Sequence, residues 1–216
     1  MYQIFLTFDF KFLSIITNKS LKRSNLEIEK HIETIQKLSL SMFRKNFFGI
    51  FHGSVSAKIA QNKFLINKKY AIFDNITKND LVVLYDKKDY RWNEASIDSE
   101  IHLNIYKNIF EAKYIAFAMS PYTVSYSLNH SYIMPKDFFG EEKFGKIKIY
   151  DPKNFDDWYE RAPYEICNHM INEKTNIMII KGYGVVAYSR TAQELVKDIA
   201  LLDNSCKILQ YEKIYS

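Results

Sequence analysis

From position 24 to 44 the apolar residues Ile28, Ile32, Ile35, Leu38 and Met42 recur at intervals of three and four, which places them on one face of a helix. Ser24 and Glu27 have the spacing of a capping box at its start. Short β-rich runs follow over 55–59, 63–66 and 81–85, separated by polar and turn-forming segments, the pattern of consecutive strands. Ile97, Ile101, Ile105 and Ile109 then repeat every four residues and predict a second helix with its core face along that row. The run 114–119 reads as a buried strand, and 121–128 as a short helix, because Pro121 suits a first helical turn. A strand is predicted over 146–150 and a helix from Pro163 to about Asn172, with Pro163 in its first turn. Residues 177–188 give two apolar runs broken at Lys181-Gly182-Tyr183-Gly184, read as strand, bend, strand. Thr191 and Glu194 cap a last helix that carries Leu195, Ile199 and Leu202. One helix, several successive strands and later helices separated by single strands imply a mostly antiparallel or mixed sheet covered by helices rather than a regular βαβ series.

Composition narrows this picture. At 216 residues with few glycines and prolines and no linker-like tract, the chain is expected to be one domain, residues 24–216, preceded by an arm, residues 1–23. The arm opens with an apolar stretch to Thr17. Asp9 and Lys11 interrupt it, and neither a basic leader nor a small-residue cleavage site flanks it, so neither signal peptide nor membrane anchor is expected. Alternation at Tyr2, Ile4 and Leu6 suits a short strand that packs on the domain or on a neighbouring subunit. The net charge of +5 comes from dispersed lysines, without the basic cluster that follows a phosphate backbone, so no nucleic-acid partner is expected. Cys167 and Cys206 fall in helical segments and read as reduced, buried thiols, which suits a reducing cytoplasm. The single Gly-x-Gly, Gly182-Tyr183-Gly184, lacks a third glycine and a following helix, and is read as a bend rather than a phosphate cradle.

Four local signatures, in order over about residues 26–209, resemble the class II aldolase/adducin family. They are Gly53-Ser54-Val55-Ser56 after the first helix; Phe64-Leu65-Ile66 followed by Asp80-Leu81-Val82-Val83; Ser99-Glu100-Ile101-His102-Leu103 with Tyr106; and Ile180-Lys181-Gly182-Tyr183-Gly184-Val185-Val186 before the last helix. The resemblance implies an α/β fold, a three-layer α/β/α sandwich around a mostly antiparallel or mixed sheet, and zinc-dependent chemistry on sugar phosphates. In that family three histidines hold the metal, two from a His-x-His strand and one from a late His-Gly turn, while a glutamate acts as acid and base. The resemblance also implies a homo-oligomer, commonly a tetramer.

Carried onto this chain, the two strand positions are Phe117 and Met119, and the late one is Tyr183. Phenylalanine has no donor atom, a thioether is a soft neutral ligand, and a phenol is protonated at neutral pH. No cofactor is therefore expected, the three residues being read as an apolar plug. A rebuilt zinc site would have to recruit His52, His102 or His130, and no His-x-His or His-x3-His occurs in the chain. Glu100 is the candidate catalytic residue, against the plainer reading of a helix-start glutamate with a local hydrogen bond. Gly53, Ser54, Ser99, His52 and Lys69 are the candidates for a carbohydrate or phosphate site, against an ordinary turn with an exposed lysine; Asp98 would repel a phosphate there. Trp158, Tyr159 and Arg161 are read as an irregular segment that could line a cleft, with packing under a loop the favoured role. The favoured function is a family member that has lost zinc-dependent aldolase activity and serves a binding or structural role. The alternative is a sugar-phosphate aldolase or epimerase that uses Glu100 with a rebuilt metal site or with none.

Overall fold

The computed structural model describes residues 25–49 and 52–215; the arm and the Ser24 capping contact lie outside them. Helix α1 is helical from residue 25 to residue 44. Strands β1 (Ser54–Ala60), β2 (Lys63–Asn67) and β3 (Leu81–Tyr85) follow, then α2 (Ser99–Asn108), β4 (Tyr114–Ala118) and α3 (Pro121–Ser127). After β5 (Tyr132–Ile133), α4 (Phe138–Phe144) and β6 (Ile147–Tyr150), the chain continues through α5 (Trp158–Asn172), β7 (Ile177–Ile180), β8 (Gly184–Ser189) and α6 (Ala192–Tyr215). The eight strands form one sheet in the order β3-β2-β1-β4-β8-β7-β6-β5. Only the β6–β7 pair is parallel, so the mixed, mostly antiparallel sheet read from the sequence is the one observed.

The sheet has a core on each face because successive strand residues point to opposite sides. Ala116, Ala118, Ile177, Ile179, Val185 and Ala187 face one core, with Ile32, Ile35, Leu38 and Met42 of α1 and Leu195, Ile199 and Leu202 of α6. Ile115, Phe117, Met178, Ile180 and Val186 face the other, with Ile101 and Ile105 of α2 and Ile166 and Met170 of α5. This is the expected three-layer arrangement. Each large side chain so buried contributes about 1.5–3 kcal/mol relative to exposure, which explains why the central strands read as unbroken apolar runs. Thr191 starts α6 as expected, its hydroxyl accepting from the Glu194 amide at 3.2 Å. Both cysteines are free and buried, and no helix among the described residues is long and apolar enough to cross a membrane.

Three expectations need correction. Ile97 precedes α2 and is 65% exposed, because α2 begins only at Ser99. Pro163 lies inside α5, not in its first turn. The residues before it are held helical by Arg161, which pairs with Asp157 at 2.9 Å and Glu165 at 2.7 Å, so Trp158, Tyr159 and Arg161 form a helix start and not an irregular segment. The sequence pattern also gave no sign of β5 or α4: β5 is two residues long, and α4 exposes Phe138 and Phe139 and is started by Asp137 accepting from the Gly140 amide at 2.9 Å.

Candidate functional site

At the sheet end where β1 starts and β4 finishes, the chain encloses a pocket of about 290 Å³. Its wall is assembled from the approach to β1 (His52, Gly53), the end of β2 and the segment beyond it (Asn67, Lys69, Phe73), the entry to α2 (Ser96, Ile97, Asp98), the end of β4 (Phe117, Met119), Tyr159 of α5 and the β7–β8 turn (Gly182, Tyr183). Two glycines make this convergence sterically feasible. Gly53 has φ +126° and a Cβ there would lie 2.6 Å from Phe48 Cδ1, a conformation and a spacing that side-chain-bearing residues avoid. At Gly184 a Cβ would come within 2.4 Å of Phe117 Cε2, so the missing side chain is the space in which the Phe117 ring lies.

The pocket therefore gathers Phe117, Met119 and Tyr183, the three positions matched to zinc ligands, on one wall. Phe117 and Tyr183 stack with ring centroids 5.0 Å apart, Phe155 stacks on Tyr183 at 5.6 Å, and Trp158 meets Tyr183 edge-on at 6.0 Å. The Tyr183 hydroxyl is hydrogen-bonded to that of Tyr159 at 2.9 Å, and burial, with the Asp98 charge adding to it, keeps its phenol protonated well above the usual range. All three residues line the pocket. Their donors, a thioether and a neutral phenol beside a carbon ring, do not fit a zinc ion, which needs nitrogen, thiolate or carboxylate ligands at about 2.0–2.3 Å. Nor do the other histidines converge. His130 stacks on Tyr126 and bonds Lys213 at 2.8 Å, and both nitrogens of His102 are engaged by serines. No group of three His, Cys, Asp or Glu suited to a metal occurs among the described residues.

The carboxylate at the pocket is Asp98, not Glu100. Glu100 sits on the outer side of α2, about half exposed and ion-paired with Lys88, and it does not line the pocket. Glu100→Gln is accordingly expected to change unfolding stability by less than about 1 kcal/mol and to leave ligand affinity unaltered, which denaturant titration and calorimetry would read. Asp98 precedes the first residue of α2 and is only 4% exposed. Burial raises its carboxyl from 3.8 to about 6, while the Ser54 hydroxyl opposes the rise, and its Oδ1 has no protein partner. Of the anion-site candidates, His52, Gly53 and Lys69 reach the wall. Ser54 lies behind it, bonded to His102 Nε2 at 2.9 Å, and the Ser99 hydroxyl is spent on the Ser96 carbonyl at 2.6 Å.

A sequence signal for Asp98 did exist. Asp98, His102 and Tyr106 are spaced by four, so they share one helical face, whereas Glu100 is two positions out of phase with them.

The sequence profile described as Class II Aldolase and Adducin N-terminal domain matches residues 33–210, and the chain belongs to this family. Its fold is similar to that of L-fuculose-1-phosphate aldolase from Thermus thermophilus, with TM-score 0.77 and 19% identity over 87% of this chain and 96% of that one. YgbL from Escherichia coli superposes with TM-score 0.69 and 15% identity over 87% of this chain and 89% of its own. A sugar-phosphate aldolase from Thermotoga maritima gives 0.66 and 13%, over 85% and 95%. No curated protein matches the chain at the level of sequence.

Proposed function

We propose that this protein keeps the family's fold and pocket but binds a small ligand there without zinc-dependent carbon–carbon cleavage. The observation that carries this reading is the convergence of Phe117, Met119 and Tyr183 on one wall, with two stacked rings in the place of imidazoles. A Lewis acid that polarises a hydroxyketone needs ligands of another kind. The pocket is better suited to a ligand with an apolar body, held by Phe73, Phe117, Met119 and Tyr183, and a polar head at Asp98. Lys69 and His52 offer positive or hydrogen-bonding contacts on the same wall; a carbohydrate or phosphate ligand would use them, against repulsion from an ionised Asp98. The domain is taken as residues 24–216 and its working form as a homo-oligomer. Two free buried thiols accord with a reducing cytoplasm.

Elemental analysis of tag-free protein is expected to find zinc well below one equivalent, and ketose phosphates are expected to undergo no retro-aldol cleavage. Near-stoichiometric zinc with cleavage would overturn the proposal.

A second reading is favoured by one feature, the unpartnered Oδ1 of a buried carboxyl whose pKa is moved to about 6. Such a group suits proton transfer near neutral pH. On this reading the chain is a metal-independent acid–base enzyme with Asp98 in the role first given to Glu100. Turnover abolished by Asp98→Asn and retained by Glu100→Gln would select it.

A further inference from the structure

Three lysines that stand far apart in the sequence meet at the other end of β1. The strand is 7 residues long, so its end lies about 20 Å from the pocket at its start. There the last residues of β1, the β1–β2 turn, the end of α2 and the approach to β4 surround a hollow of about 590 Å³. Lys58, Lys107 and Lys113 line it, and no aspartate or glutamate does.

A different element holds each lysine there. Lys58 follows Ser54 and Ser56 on one face of β1, and its ammonium donates to the Tyr106 carbonyl at 2.6 Å in the last turn of α2. Lys107 belongs to that same turn. Lys113 stands across from Lys58, one step beyond the paired Ala57 and Tyr114, and its carbonyl accepts from the Lys58 amide at 2.8 Å. The Lys113 ammonium lies 4.8 Å from the centre of the Phe110 ring.

Part of this has a structural cause. A helix C-terminus attracts lysines, which accounts for Lys107 and for one of the three hydrogens of the Lys58 ammonium. It does not account for Lys113, because like charges facing each other across a strand pair destabilise a sheet. Burial, with the Lys113 charge adding to it, lowers the Lys58 ammonium below its usual range. No ion pair of the three occurs among the described residues, whereas Lys68, Lys78, Lys88 and Lys136 each have a carboxylate.

We propose that this hollow is an anion site, separate from the pocket lined by Phe117 and Tyr183, and that it takes a diphosphate group. A single carboxylate or chloride would leave two of the three ammoniums uncompensated, and a diphosphate brings a matching multiple charge. Lysine meets phosphate oxygens as a point charge with rotatable donors, without the flat two-pronged match that arginine gives a carboxylate. Gln61 and Asn62 line the same hollow and add neutral amide donors, and Phe110, 78% exposed, offers it a ring. Free diphosphate and the diphosphate of a nucleotide share this chemistry. Phe110 separates them, since a base stacks on an aromatic ring and a bare diphosphate does not.

Calorimetry on the full chain at pH 7.5 and low salt, with sodium diphosphate and with ADP and no magnesium, is expected to give one site with Kd below about 1 mM. Added salt should weaken it. Lys107→Gln/Lys113→Gln should weaken both ligands at least about tenfold, the scale of losing charge-assisted hydrogen bonds. Lys30→Gln/Lys197→Gln removes the same net charge from exposed positions elsewhere and should change either affinity less than about twofold. A loss of ADP but not of diphosphate in Phe110→Ala assigns the site to nucleotides; no loss of either assigns it to free diphosphate. No saturable binding below about 10 mM, or equal losses in the two double variants, overturns the proposal. If the double variant does not fold, Lys107→Gln alone decides, because Lys107 is exposed: it should weaken diphosphate at least about threefold, and an unchanged affinity overturns the proposal.

Discussion

Trp158→Ala is expected to lower the unfolding free energy by about 3–5 kcal/mol, the range for truncating a large buried aromatic, as read from urea unfolding followed by circular dichroism. Trp158 is 1% exposed at the start of α5. Its ring packs against Tyr150 at 6.2 Å, Phe155 at 6.2 Å and Tyr183 at 6.0 Å, and the Arg161 guanidinium lies 5.6 Å from it. Removing the indole leaves a cavity beside the β7–β8 turn and takes away the surface on which Tyr183 rests. The variant should therefore also lose affinity for any pocket ligand, because Tyr183 forms the wall where the ligand's apolar body would lie. Trp158→Phe keeps a ring there and should restore part of both quantities. A loss below about 1 kcal/mol would show that the turn and its tyrosine are held from elsewhere.

Trp158 also marks where sequence reading stopped. Elements whose apolar residues repeat with one period were legible: the α1 face, the row in α6 and the central strands all lie where their periods place them. Pro163 misplaced the start of α5, since a proline marks the first turn more often than the interior, and the ion pairs that hold the preceding turn are visible only in three dimensions. The pocket was half legible. Gly53, Phe117, Met119 and Tyr183 all line the pocket, because turns and strand ends fix their positions. Glu100 was singled out on chemical identity, a glutamate after a serine, whereas helical phase places Asp98 and not Glu100 at the pocket wall. Asp98 shares its face with His102 and Tyr106, and in a helix it is phase that decides which side chains meet.

Asp98→Asn should stabilise the protein by about 1–3 kcal/mol at pH 7.5 while abolishing binding that depends on an ionised carboxylate. The folded-state pKa is about 6 against an ordinary 3.8, so burial disfavours the charged form, and a shift of about two units corresponds to about 3 kcal/mol. Because the shift is upward, the folded chain keeps a proton that the unfolded chain has lost between pH 4 and 6. The native protein therefore gains stability from Asp98 as pH falls through that window. His102 acts in the opposite sense: burial lowers it from 6.5 to about 3, so its contribution is present above pH 6.5 and is lost progressively towards pH 3. In the native protein these two slopes largely cancel between pH 6 and 4. In the variant only the His102 slope remains, so its stability should fall faster on acidification, and its advantage should vanish near pH 4. Chemical denaturation at pH 7.5, 6, 5 and 4 would show the two curves converging; parallel curves would mean that Asp98 is not strained by burial. A buried carboxylate that weakens the fold at neutral pH and keeps one oxygen without a protein partner is a cost that stability alone does not explain.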